Sequence, residues 1–229
     1  QHVYNQATFK VYNAMDDNPL LPEYQENFDF HLENISDNPV IDNLGRHQIS
    51  EQIIVEQGDF TMNITTDEQQ KLTDTHVLSV PANSDKTVFY YNTEIEEEDD
   101  NDDSTTEEIE LFVNTLIVDN NTTNNLYQHE IKVINFVEDH PIVTVYFVEA
   151  GDTLEATPHI TYNSRAVPSS LQLYNGSYYV YFMAQEGASE ILLADMEIEI
   201  GEDFGHQFLL IEQEEKEVDN FNVQFIPQQ

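Results

Sequence analysis

The chain predicts an all-β protein built from two tandem antiparallel β-sandwich modules of immunoglobulin-like type. Three observations lead there. Short segments such as Phe28–Leu32 alternate apolar and polar residues with a period of two, the mark of a strand with one buried and one wet face. Almost no stretch carries a helical period. The chain also repeats itself: Phe9–Pro19 (FKVYNAMDDNP) returns 122 residues later as Ile131–Pro141 (IKVINFVEDHP). Each copy runs apolar residue, Lys, Val, any residue, Asn, then an acidic turn to Pro. About seven short strands per module, spaced by turns, is a sandwich pattern, with a closed barrel as the competing arrangement.

Taken in order, Phe9–Asn13 reads as a first strand, and a polar, Pro-containing stretch follows it. Phe28, Phe30 and Leu32 form a second strand. Residues 34–46 hold Asn, Asp, Pro and Gly and read as a long loop. Ile53 and Val55, a turn at Gln57–Gly58, and Phe60, Met62 and Ile64 read as a hairpin. Leu78–Val80 and Val88–Tyr91, joined through Pro81–Asp85, read as another. The acidic stretch 94–108 is an insertion before a last strand, Ile109–Val118. This places the first module at 1–120, a small polar linker at 121–127, overlapping the DNNTTNN stretch that begins at Asp119, and the second module at 128–229.

The second module follows the same plan. Ile131–Asn135 and Val143–Phe147 are its first strands, and a loop spans 149–169. Leu171 and Leu173 match Ile53 and Val55. Gly176 matches Gly58, and Tyr178, Val180 and Phe182 match Phe60, Met62 and Ile64. Ile198 and Ile200 match Leu78 and Val80, Phe208–Ile211 matches Val88–Tyr91, and Phe221, Val223 and Phe225 close the module.

Charge narrows the function. Forty-five Asp and Glu face seven Lys and Arg, a formal net charge of −38. Nucleic acid and anionic membrane surfaces require clustered cations, so neither is an expected partner. Such charge favours a soluble monomer at the cost of self-repulsion, which salt screens; a marine or halophilic exterior would suit it. No cysteine is present, which excludes disulfides and thiolate chemistry. No apolar run is long enough to span a membrane as a helix. Residue 1 is expected to be a mature N-terminus or a chosen boundary, and a lipid anchor or a plain signal peptide upstream is equally open.

The chain resembles a bacterial exported domain family of unknown function that opens on a Val-Arg-Val-Val-Asn-Ala-Ser-Pro-Asp-Ala-Pro-like strand and turn. Lys132–Asn135 and Glu138–Tyr146 fit that opening. Asn175–Tyr178 resembles its Ala-Gly-Thr-Tyr hairpin, and Ile198–Phe204 its later Leu-x-x-Gly-x-x-Tyr element. The second module matches over most of its length; the first matches at Phe9–Pro19 and Gly58–Phe60. The resemblance implies a β-sandwich, often in tandem, exported to the periplasm or cell surface. It implies no catalytic residues.

Two groups of residues are candidate sites. In the tract from Glu94, one register places Asp99, Asn101, Asp103, Thr105, Glu107 and Glu110 at positions 1, 3, 5, 7, 9 and 12 of a calcium loop. Ser104 stands where such a loop has Gly, and the flanks read as strands; a solvated hairpin tip is the simpler account. The other group is Tyr146, Tyr179 and Tyr181. With Tyr178, Val180 and Phe182 inward, Tyr179 and Tyr181 face out, where the first module has Thr61 and Asn63. Outward tyrosines can stack on sugars or bury in a protein interface; cross-strand pairing or packing between modules would also account for them. Lys10 and Lys132 occupy equivalent outward positions, fit for pairing with carboxylates. The eight His show no metal-binding spacing, and no nucleophile elbow, phosphate loop or dinucleotide motif occurs.

The expected protein is therefore a non-enzymatic, extracytoplasmic binding or structural unit without a cofactor, weak Ca²⁺ aside. Its partner is an unidentified protein or glycan. A glycan-binding module using the tyrosines and a calcium-responsive structural domain are the alternatives.

Overall fold

The computed structural model describes residues 5–15, 27–33, 35, 37–65, 76–96, 109–156, 158–213 and 219–229. Among them the chain is all strand and connection, without helix. The first module contains β1 (Gln6–Ala14), β2 (Phe28–Leu32), β3 (Ile41–Leu44), β4 (Ile53–Glu56), β5 (Gly58–Thr65), β6 (His76–Val80), β7 (Asp85–Glu96) and β8 (Ile109–Asp119). The second contains β9 (Gln128–Asn135), β10 (Ile142–Glu149), β11 (His159–Ser164), β12 (Ser169–Tyr174), β13 (Gly176–Glu186), β14 (Ser189–Ile200), β15 (Gln207–Gln213) and β16 (Phe221–Pro227).

Each module has two four-stranded sheets. Their orders are β4-β1-β7-β8 and β3-β2-β5-β6 in the first, and β12-β9-β15-β16 and β11-β10-β13-β14 in the second. The two modules thus share one topology strand for strand. Inward side chains of both sheets meet in one core per module. Phe9, Val11, Phe30, Ile64, Val80 and Val88 lie in the first; Ile131, Val133, Val145, Phe182, Ile200 and Leu209 lie in the second. A sheet that is apolar on one face is stable only when that face is covered, and the facing sheet covers it. The chain divides into compact units at Gln1–Asp119 and Asn120–Gln229.

Several strand relations differ from the sequence expectation. Among the described residues each module has eight strands, because β3 and β11 lie in stretches expected to be loops. Both are edge strands, and β11 turns Thr161 and Asn163 inward while Ile160 and Tyr162 face solvent, so its polarity is inverted. The expected hairpin around Gly58 is a crossing between sheets: β4 pairs with β1, whereas β5 pairs with β2 and β6. The same holds at Gly176, where β12 pairs with β9 and β13 with β10 and β14. Nor do β6 and β7 form a hairpin. The chain changes sheet at Pro81–Ser84, and β7 then pairs with β1 in parallel. Alternation specifies a strand's faces and leaves its neighbour undetermined.

The parallel pairing also shifts one equivalence. Lys10 pairs with Thr87, and Lys132 with Phe208. Val88 therefore corresponds to Leu209, and Tyr90 to Ile211, one residue later than the sequence match. The burial agrees: Val88 and Tyr90 belong to one core, Leu209 and Ile211 to the other. A slip of one residue would have turned these side chains to the opposite face.

The repeated Lys-Val-x-Asn has a structural cause. Asn13 is buried, donating from Nδ2 to the Leu44 carbonyl (3.1 Å) and accepting the Met15 N–H on Oδ1 (3.0 Å). Asn135 is buried likewise, donating to the His140 carbonyl and accepting the Val137 N–H, both at 2.9 Å. Each Asn caps the end of its strand by satisfying backbone groups that the sheet ladder no longer reaches. Its own carbonyl accepts the N–H of His47 (2.8 Å) or Ala166 (2.7 Å). These two residues have φ of 60° and 53°, so the same left-handed turn is used in both modules.

The polar run after β8 is fastened to the second unit. Asn121 accepts no slack: its N–H donates to Gln228 Oε1 (2.7 Å) and its Nδ2 to Glu130 Oε2 (3.0 Å). Thr123 Oγ1 lies 3.1 Å from His206 Nε2, while His206 Nδ1 accepts the Glu130 N–H at 2.8 Å. That second bond makes Nε2 the protonated nitrogen of a neutral ring. Among the described residues, no helix is long and apolar enough to cross a membrane.

Candidate functional site

Sheet register brings the three tyrosines of the sequence reading onto one face. Tyr146 on β10 lies directly opposite Tyr181 on β13, and Tyr179 lies opposite Val148. The rows continue across the sheet. Ile160 on β11, Tyr146, Tyr181 and Asp195 on β14 form one. Tyr162, Thr144, Met183 and Leu192 form the next. The outer face is exposed at Tyr162 (69%), Leu192 (51%) and Ile160 (43%), while Tyr146 and Tyr181 are half-buried and Thr144 and Val148 beside them are buried. Residues side by side on one sheet face are about 5 Å apart, close enough for aromatic and aliphatic groups to form one surface.

Ile160 and Tyr162 were not singled out from sequence. The signal was present in His159–Ser164, which alternates apolar with polar residues. The apolar positions are the outward ones, the reverse of the usual strand, so alternation alone does not mark the stretch as one that joins a core.

The acidic residues of the face lie on β14, one edge of the sheet. Asp195 is opposite Tyr181, and Glu197 opposite Tyr179. Glu190 accepts the Tyr146 hydroxyl on both carboxylate oxygens, at 2.9 and 3.0 Å. The Tyr146 phenol is pushed up to about 12, by partial desolvation first and then by its hydrogen bond to Glu190 and that residue's charge. Ser177 donates to Glu199. A groove of about 270 Å³ opens at this end of the face, lined by Ala150, Ser177, Tyr178, Tyr179, Glu197, Ile198 and Glu199. Tyr178 points inward and donates to the Tyr174 carbonyl at 3.0 Å.

The corresponding sheet of the first module has a different surface. Register places His31 where the second module has Tyr146, and Asn63 and Thr61 where it has Tyr181 and Tyr179. His31 bonds the Thr65 hydroxyl at 2.9 Å, and Asn63 donates to Glu33 at 2.7 Å. One scaffold thus carries a polar face in one copy and an aromatic face in the other.

The calcium-loop candidates Asp99, Asn101, Asp103, Thr105 and Glu107 lie outside the described residues. Of Glu110 only the backbone is described, paired with Ile95 between β7 and β8. Among the described residues, no group of three or more His, Asp or Glu is placed to hold a metal ion. Lys132 sits 3.7 Å from Glu130. Burial lowers the pKa of Lys10, and Asp85 opposes that shift. Lys132 thus stands beside a carboxylate of its own strand, and Lys10 beside one of the neighbouring β7. His129 is buried, with Nε2 2.9 Å from Asn175 Oδ1, and its ring centroid is 6.5 Å from that of His206.

No protein-family model matches this chain, and no curated protein matches it. A solved structure, the Bacillus anthracis TIE protein, aligns over 90% of this chain and 50% of its own, at 10% identity and a TM-score of 0.29. The chain spans half the length of that structure.

Proposed function

We propose that this chain is a non-enzymatic binding unit working outside the cytoplasm, in the periplasm or at the cell surface, and that the β11-β10-β13-β14 face holds its ligand. One observation carries the reading. The two modules share their topology, yet the aromatic face occurs in one only, with Tyr146, Tyr179 and Tyr181 standing for His31, Thr61 and Asn63. The first module shows that this scaffold folds without tyrosines there. The largest exposed apolar patch on a monomer measures about 300–600 Å² and is often functional. Export is supported by the family resemblance of the Lys132–Tyr146 segment and by an acidity suited to a salty exterior.

A glycan is the second reading, favoured by the groove beside Tyr179. An aromatic ring there flanks Ser177, Glu197 and Glu199, which offer hydrogen bonds to hydroxyls.

The test is retention of the full chain on glycan and peptide arrays. Tyr179→Ala with Tyr181→Ala is expected to abolish retention while leaving the thermal melt unchanged. Retention indifferent to these changes would remove the face from consideration. Turnover of any compound in a broad substrate panel, lost on a single Asp or Glu change, would overturn the non-enzymatic reading.

A further inference from the structure

Given that this face is the binding surface proposed for the chain, we infer that its occupant is a short basic segment of a partner protein, with aliphatic or aromatic residues beside its Lys or Arg. Charge selects the class. The face positions contributed by β10, β11, β13 and β14 include no Lys or Arg, and the carboxylates beside the tyrosines are those of Glu190, Asp195, Glu197 and Glu199. Lys or Arg on a partner would meet aromatic ring faces and carboxylates together, an arrangement that favours cations twice over. The chain's net charge of −38 would draw such a segment in and repel anionic competitors. A second copy of this chain would bring a further charge of −38 against an already acidic face, so self-association does not fit.

Size selects the form. The rows shared by all four strands span the six residues of β11; with the Tyr179–Glu197 row added, at roughly 3.3 Å per residue and about 4.8 Å between strands, the area is roughly 300–400 Å². A stable globular interface buries about 800 Å² on each partner. An area this small fits one extended segment, whose alternate side chains can follow the rows of the sheet.

The experiment uses the full chain and a fluorescently labelled peptide in which Lys or Arg alternates with Leu. A counterpart carrying Glu at the basic positions and a neutral-glycan array run alongside, all near physiological salt. The basic peptide is expected to bind saturably and the Glu peptide not at all. Tyr179→Ser with Tyr181→Ser leaves the net charge unchanged, and is expected to weaken binding at least about tenfold. Tyr162→Ser, at the most exposed of these tyrosines, gives the same direction of change without a risk to folding. Asp195→Asn with Glu197→Gln is also expected to weaken it at least about tenfold. Basic-peptide binding that survives the tyrosine changes is attraction to a polyanion, and would overturn the inference. Tyrosine-dependent glycan binding without peptide binding would overturn the partner class and leave the binding face standing. Absence of binding to every probe would remove both.

Discussion

Asn163 offers a decisive test of how the second core is assembled. It is fully buried on β11, opposite Val143, and among the described residues neither Oδ1 nor Nδ2 has a hydrogen-bond partner. Register places Leu44 at the equivalent position of the first module, because Phe28 pairs with Leu44 as Val143 pairs with Asn163. Leu44 is buried in the first core. Asn163→Leu therefore installs a side chain that the same topology already accommodates, with the same branching at Cγ. An unsatisfied buried polar group costs about 1–3 kcal/mol. Leu removes two such atoms and adds apolar burial, against some repacking around its larger body. The expected net gain is about 1–3 kcal/mol. For a unit of this size, each kcal/mol raises the midpoint by roughly 4 °C or more. Calorimetry of the full chain should show the increase, and urea unfolding should show a higher midpoint at an unchanged slope. Asn163→Asp, which buries a carboxylate, should move both the other way. An unchanged or lower midpoint for Asn163→Leu would refute the reasoning, and would mean that the amide is satisfied within a core that differs from the first.

Asn135→Ala removes the strand cap and leaves the Val137 N–H and the His140 carbonyl without their partner; a loss of roughly 1–3 kcal/mol is expected in urea melts. Ala166→Gly relieves a non-glycine residue at φ 53° and should stabilise the chain by roughly 0.5–1 kcal/mol, measured the same way. Tyr146 should ionise near pH 12 in alkaline absorbance titration, and Tyr146→Phe should remove that component. Because its folded value lies above the unfolded value of about 10, its contribution to stability is fully present below about pH 10 and lost as pH rises through about 12. With a net charge of −38, thermal stability is expected to follow ionic strength, equally for CaCl₂ and matched NaCl; extra stabilisation by Ca²⁺ alone would point to Asp99–Glu110.

The sequence by itself determined the strand class, the repeat and most of each core. Those rest on local chemistry: alternation in Phe28–Leu32 or Tyr178–Phe182 sets which side chains are apolar and which way successive residues point. The outward pair Tyr179 and Tyr181 was legible for the same reason, as was its contrast with Thr61 and Asn63. Tertiary structure alone decided which strands are neighbours. Nothing local in Ile53–Ile64 separates a hairpin from a crossing between sheets. The parallel pairing of β1 with β7 joins residues more than seventy positions apart, and it alone sets Val88 against Leu209. The full binding face was hidden for the same reason. Ile160 and Tyr162 join Tyr146 through a pairing with β11, a strand whose inward residues are Thr and Asn. Periodicity is a property of one segment; a surface is a property of the register between segments.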